Sequence, residues 1–214
     1  MNIVVQQPEL QQRTLRLYGE LLCRRASWAR ELVFAAFPGA AGSGIAAAAS
    51  LVGAGSLVVD SDAASMKAHF RDGAFDFVVN TLDEALRAIK NEIRKGSPLS
   101  IGLVGEPKDV VAEAAERGLS AGFVLNDSSH FSDEDLRALC GEDADIVDVA
   151  EPTSRFAAWL EEKHWIAVEA QPAAPGETTD VVSEPVREAW LRGLATHQRS
   201  VRGRVRWVWM RAEA

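Results

Sequence analysis

The sequence predicts an α/β protein with a doubly wound, mostly parallel sheet, an N-terminal helix and a C-terminal helix-and-strand appendage. Three observations carry this prediction. Short apolar runs alternate with helix-patterned segments from residue 32 to about residue 150, which is the signature of parallel strands joined by crossover helices. The first run leads into a glycine-rich turn, Gly39-Ala40-Ala41-Gly42-Ser43-Gly44, followed by a segment rich in alanine. The next apolar run ends in an acid, Asp60, 18 residues after Gly42.

The elements follow in order. Residues 9–30 are read as a helix, because Leu10, Leu15, Leu17, Leu21 and Leu22 are spaced for a buried stripe and Pro8 suits the start. Residues 32–37 form the first strand. Residues 44–52 form an alanine-rich crossover helix closed by Gly53-Ala54-Gly55, and residues 56–60 form the second strand. Asp62 is placed to N-cap a helix running to about Asp72. Residues 75–80 fit either a short strand or an extended connection. Thr81-Leu82-Asp83-Glu84 is a capping box that opens a helix to about Lys95, and Gly96-Ser97-Pro98 is a turn. Residues 100–105 read as an apolar strand, 109–117 as a helix ended by Gly118, and 123–125 as a further strand. Ser132-Asp133-Glu134-Asp135 starts another helix, and Asp145-Ile146-Val147-Asp148-Val149 follows it. Beyond it, 153–162 is expected to be helical. Residues 171–184, with Pro172, Pro175 and Gly176, read as a linker. Residues 184–197 read as a final helix, and 201–211 alternate as a strand. The organisation expected is an N-terminal helical extension (1–30), a Rossmann-like domain (31–150) and an appendage packed on that domain (151–214).

Composition narrows the class. A chain of 214 residues, 47% apolar and 25% charged, has the makeup of a soluble globular domain. A net charge of −8 argues against nucleic acid as a general partner. The charge is uneven: residues 185–214 hold seven arginines against Glu188 and Glu213, a local +5, leaving −13 for the rest. In the last strand Arg202, Arg204 and Arg206 alternate with Val205, Trp207 and Trp209. Three readings apply. The strand packs its tryptophans on the core and keeps arginines outward against edge pairing; it binds single-stranded nucleic acid; or it pairs with the acidic body of a second subunit as a homodimer. The acidity elsewhere favours the first over the second. Cys23 and Cys140 make neither a disulfide framework nor a metal site, and no His, Cys, Asp or Glu set has metal-ligand spacing. The N-terminus has no basic segment leading into an apolar run. The longest weakly polar stretch, 32–59, is interrupted by Pro38 and glycines, so no membrane span is expected and the cytoplasm is the expected location.

The chemistry-bearing residues cluster at predicted strand ends. Gly42-x-Gly44-x-x-Ala47 fits the dinucleotide fingerprint G-x-G-x-x-G/A. Gly42 permits the tight turn, Gly44 lets a pyrophosphate approach the backbone, and Ala47 lets the helix sit close to the sheet. A helix N-terminus there favours an anion. The same small residues equally serve a tight strand-to-helix connection. Asp60 is placed to bind a ribose hydroxyl. Glu106 follows the 100–105 strand, either as a solvated loop acid or as a contact for a cationic or hydroxyl-rich ligand. Asp127, Ser128, Ser129 and His130 bring an acid, two hydroxyls and an imidazole to one strand end, where they suit acid–base work or ordinary turn and cap chemistry. His69 and His164 read as surface residues.

Four stretches together resemble the central NAD-binding domain of the urocanase (urocanate hydratase) family: Gly39-Ala40-Ala41-Gly42-Ser43-Gly44, Leu57-Val58-Val59-Asp60-Ser61-Asp62, Leu82-Asp83-Glu84-Ala85 and Pro98-Leu99-Ser100-Ile101-Gly102-Leu103-Val104-Gly105. The similarity runs from about residue 14 to about residue 135. Lys95 to Gly105 is its most specific part. The resemblance implies a Rossmann-like fold and NAD used as an electrophile, whose nicotinamide adds to the substrate imidazole before water adds. It places Gly42, Ser43, Gly44, Asp60, Gly105, Glu106 and Ser128 at the cofactor, while the strand-end cluster itself makes Asp127, Ser129 and His130 the candidate catalytic residues. This sequence departs from the family pattern at several of these positions. Ser43 stands for a methionine, Asp60 for a glutamate, Ser65 for an arginine, and Glu106-Pro107 for an Asn-Ala pair. Asp127-Ser128-Ser129-His130 stands for Gln-Thr-Ser-Ala-His with one residue fewer. The family's substrate-side diglycine loop and its cysteine motif have no counterpart among these residues. The expectation is therefore a module for a nucleotide or small anion that lacks urocanase activity on its own. The alternatives are a lyase- or hydratase-like enzyme using Asp127, Ser129 and His130, with or without a partner subunit to complete it, or an oligomeric structural protein with a vestigial pocket.

Overall fold

The inner strands of the central sheet are apolar because helices cover both of its faces. A computed structural model describes residues 14, 17–21, 24–25, 27–36, 41–71, 74–126, 131–140, 144–148, 165–170 and 206–211. The alternating elements are β1 (Leu32–Ala36), α1 (Ala41–Val52), β2 (Gly55–Asp60), α2 (Ala63–Arg71), β3 (Phe77–Val79), α3 (Leu82–Lys95), β4 (Ser100–Val104), α4 (Pro107–Glu116), β5 (Phe123–Asn126), α5 (Asp133–Cys140) and β6 (Asp145–Asp148). Six strands pair in the order β3-β4-β2-β1-β5-β6, and every pairing is parallel. This is the doubly wound Rossmann-like architecture that the sequence predicts. Within residues 75–80, Phe77–Val79 is a short strand: the chain runs from β2 out to the sheet edge at β3, then returns through α3 to lay β4 beside β2.

Side chains alternate between two cores. On one face Val33, Ala35, Val58, Phe123 and Leu125 pack against Ile45, Ala46 and Ala49 of α1, Met66 of α2, and Leu17, Tyr18, Leu21 and Trp28 near the N-terminus. On the other face Leu32, Phe34, Leu57, Val59, Ile101, Leu103 and Val124 meet Leu86 and Ile89 of α3, Val110 and Val111 of α4, and Leu136 of α5. Full burial of such a side chain contributes roughly 1.5–3 kcal/mol.

The N-terminal helix belongs to the first core. Thr14, residues 17–21 and Arg24 are helical, and the helix ends well before Arg30. Trp28 closes it: the indole Nε1 donates to the Leu21 carbonyl at 2.7 Å, while the ring meets Phe123 edge-on. Arg24 and Arg25 then bridge to Asp145 at the start of β6, and Arg25 also donates to the Gly122 carbonyl.

Caps set the helix ends. Thr81 Oγ1 accepts from the Glu84 N–H and Glu84 Oε2 accepts from the Asn80 N–H, so the expected capping box is present. Gly96, with φ of 68°, ends α3 in the left-handed region. Asp62 Oδ1 accepts from the N–H groups of Ala64 and Ser65 and caps α2.

Two boundaries differ from expectation. Helix α1 begins at Ala41, so Gly42, Ser43 and Gly44 form its first turn rather than the loop before it. Residues 165–170 form β7 (Trp165–Ala170), which pairs antiparallel with β8 (Arg206–Arg211) in a separate two-stranded sheet. Of the strand expected at 201–211, residues 206–211 are described, and they form strand. The expected helices at 153–162 and 184–197 and the linker at 171–184 lie outside the described residues.

Candidate functional site

The six strands point the same way, so their carboxyl ends share one edge of the sheet. From β1 the strand order runs outward through β2 on one side and through β5 on the other. In open α/β sheets the crevice for ligands lies outside the carboxyl ends at such a reversal. Helix α1 starts there. Its first turn holds Gly42, Ser43 and Gly44, all buried, and no acidic side chain. The helix dipole is positive at that turn, so the position favours an anion.

Asp60 closes β2 one strand away. Its Oδ1 accepts from the Asp62 N–H at 2.9 Å, which orients the carboxylate and leaves Oδ2 for another donor. Ser65, at the position of the family arginine, sits in the first turn of α2, where its hydroxyl lies 3.3 Å from His69 Nε2. His69 is partly exposed on α2, with its ring edge-on to Phe75.

Gly105 extends the β4 ladder by donating to the Asp60 carbonyl at 3.1 Å. A Cβ on it would meet Val110 Cγ2 at 3.2 Å, so the residue also lets α4 fold back closely over the strand. Glu106 occupies the N-cap position of α4, but its side chain makes no cap hydrogen bond. The backbone carbonyl alone serves the helix, accepting from Val110. The carboxylate is exposed at the carboxyl edge, and the fold makes no use of it.

Asp127, Ser128, Ser129 and His130 lie outside the described residues. Both flanks of that segment are fixed. Asn126 ends β5 with its side chain 2% exposed, and its Nδ2 donates to the Phe131 carbonyl at 3.1 Å. After Phe131, Ser132 and Asp135 cap α5 reciprocally: Ser132 Oγ accepts from the Asp135 N–H, and Asp135 Oδ2 accepts from the Ser132 N–H and hydroxyl. Those bonds hold the Asp135 carboxyl below the usual carboxylate range. Asp135 is therefore a capping residue. Sequence reasoning assigned Asn126 no role; the one available signal was a polar side chain closing an otherwise apolar strand. Among the described residues no group of His, Cys, Asp and Glu can hold a metal ion, and no helix is long and apolar enough to cross a membrane.

A parallel sheet with a strand-order reversal, a glycine-bearing helix start at that reversal and an acid closing the neighbouring strand define a Rossmann-like α/β domain. Residues 14–133, more than half of the chain, match the model of the urocanase Rossmann-like domain. The chain belongs to the urocanase family. The match begins at Thr14, the first described residue of the N-terminal helix that packs on the sheet.

Proposed function

We propose that this domain binds an NAD-type nucleotide in the crevice at the carboxyl ends of β1, β2 and β5, and acts as a binding module without urocanase turnover of its own. The observation that carries the reading is the pairing of an acid-free, glycine-bearing first turn in α1 with the oriented carboxylate of Asp60. The first turn receives the pyrophosphate at the positive end of the helix dipole. Asp60 Oδ2 accepts from a ribose hydroxyl. When bound, the nicotinamide would supply an electrophilic ring. This chain's own residues hold and orient the nucleotide. Ser65 and Glu106 mark where the cofactor contacts depart from the family's: a hydroxyl replaces a guanidinium, and an exposed carboxylate replaces a neutral side chain at the edge of the crevice.

Isothermal titration with NAD+ tests the reading. Binding at micromolar to sub-millimolar concentration is expected, with affinity reduced at least tenfold in Asp60→Ala. No heat and no thermal shift at millimolar NAD+, in wild type and variant alike, would sink it.

The reading extends to self-association through the C-terminal strand. Among the described residues β8 pairs with β7 alone, and its other edge is where a second copy would add. Light scattering that gives the monomer mass at all concentrations would remove this extension and leave the nucleotide reading intact.

A further inference from the structure

Asn126 ends β5 where the strand order reverses. Its neighbours in register are Asp148 on β6 and, one step beyond the Ala35–Leu125 pair, Ala36 on β1. The bond from Nδ2 to the Phe131 carbonyl fixes which way the amide faces, because a carbonyl accepts only from the NH2 end. Oδ1 is then a buried acceptor with no hydrogen-bond partner. Such groups are rare and costly in native structures, and each calls for a reason. Two further buried side-chain oxygens are unpartnered, Glu20 Oε1 and Ser56 Oγ. Ser56 lies near the opposite, amino end of β2 and Glu20 lies on the N-terminal helix, so Asn126 alone of the three stands at the ligand-facing edge.

We propose that Asn126 is a specificity-determining residue whose Oδ1 accepts a hydrogen bond from an N–H or O–H donor on the second nucleoside of a bound dinucleotide. The proposal rests on the nucleotide reading above. With one ribose at Asp60 on the β2 side and the pyrophosphate over α1, the other nucleoside lies on the β5 side of the reversal. Ribose hydroxyls and a carboxamide are the donors it carries. A carboxylate brought to the same place would repel the amide oxygen, so the residue favours an amide over an acid.

The test is calorimetry on the full chain with NAD+, ADP-ribose and ADP, comparing wild type with Asn126→Leu. Asn126→Thr is the second variant, because its hydroxyl can still donate to Phe131 while the amide oxygen is gone. Loss of one buried hydrogen bond predicts a fall in NAD+ affinity of about tenfold with ADP unchanged. If ADP-ribose weakens alongside NAD+, the donor is a ribose hydroxyl; if ADP-ribose is unaffected, the donor is the carboxamide. Equal weakening of ADP and NAD+, or no change in either, overturns the proposal and makes Asn126 a purely structural clamp. A wild type that binds none of the three overturns the nucleotide reading, and this inference with it. A wild type that binds NAD+ with variants unchanged overturns this inference alone.

Discussion

Gly102 and Met66 are packed so closely that a Cβ on the glycine would stand 2.7 Å from Met66 Cε. The Phe75 ring crowds the same point, with its Cδ2 at 3.0 Å and Cε2 at 3.1 Å. Helix α2 and the turn before β3 therefore rest directly on the backbone of β4. Two residues earlier on the same face, Ser100 serves α1 in a similar way. Its hydroxyl donates to the Ala46 carbonyl at 3.2 Å and lies 2.7 Å from Ser50 Oγ, which must then be the donor of that second bond. Small and hydroxyl-bearing residues on one face of β4 are what let two helices approach it.

Gly102→Ala forces a methyl group into this contact. Met66 is flexible but fully buried, and Phe75 has no room to turn aside. Overpacking of this kind costs about 1–3 kcal/mol. Urea unfolding is expected to show that loss, with NAD+ affinity unchanged because Gly102 lies two residues inside the strand end. A variant as stable as wild type would mean that α2 sits further from the sheet.

The same residues mark how far the sequence could be read. Alternation of apolar runs with capped helical segments made the parallel sheet legible, and Thr81, Glu84 and Asp62 cap where their spacing predicts. The stretch around Ser100 and Gly102 was the most family-specific part of the chain, yet nothing in it said whether it serves a ligand or packing; only the neighbours Met66, Phe75 and Ser50 decide that. Helix α1 starts three residues early because glycine and serine are permitted in a first helical turn as readily as before it. Residues 165–170 gave no strand signal: the four apolar residues before Glu169 are ambiguous between helix and strand, and their partner lies far along the chain. Asn126 was invisible as a site residue because an orphaned acceptor is a property of surroundings, not of a residue type.

Helix α3 has the most complete set of end signals, and each can be removed singly. Thr81→Ala deletes the acceptor for the Glu84 N–H, which costs about 1 kcal/mol at an N-cap. Gly96→Ala places a Cβ on a residue at φ of 68°, a strain of roughly 1 kcal/mol. The two sites lie at opposite ends of the helix, so the double variant should lose close to the sum in chemical denaturation. Marked non-additivity would show that α3 frays as a unit.

Cys140 closes α5 with its side chain buried, and burial pushes its thiol up to about 11. The thiolate is the reactive form, so at neutral pH almost none is present in the folded chain. In a Cys23→Ala background, a thiol-directed chromogenic reagent at pH 7.5 is expected to leave native protein unlabelled and to label one thiol per chain in denaturant. Rapid labelling of the native form would require α5 to open locally.

Glu20 gives a pH dependence with a definite sign. It lies on the N-terminal helix, 5% exposed, with Oε1 unpartnered and Oε2 3.5 Å from Arg24. Burial raises its carboxyl above the ordinary 4.5, and the opposing attraction of Arg24 does not cancel that effect. A group whose pKa is raised on folding contributes stability that is fully present below its unfolded value and is lost as the pH climbs through its folded value. The ionised carboxylate is thus a net burden at neutral pH. Glu20→Gln is expected to be more stable than wild type at pH 7, by an amount that shrinks on acidification and levels off below about 4.5. Other carboxylates, such as Asp83 beside Arg117 and Asp135 beside Ser132, are shifted the opposite way and lose their contribution in acid. They are common to both proteins, so the difference between the two melting temperatures isolates Glu20. A gap that stays constant or widens as the pH falls would mean that the pairing with Arg24 outweighs the cost of burying the charge.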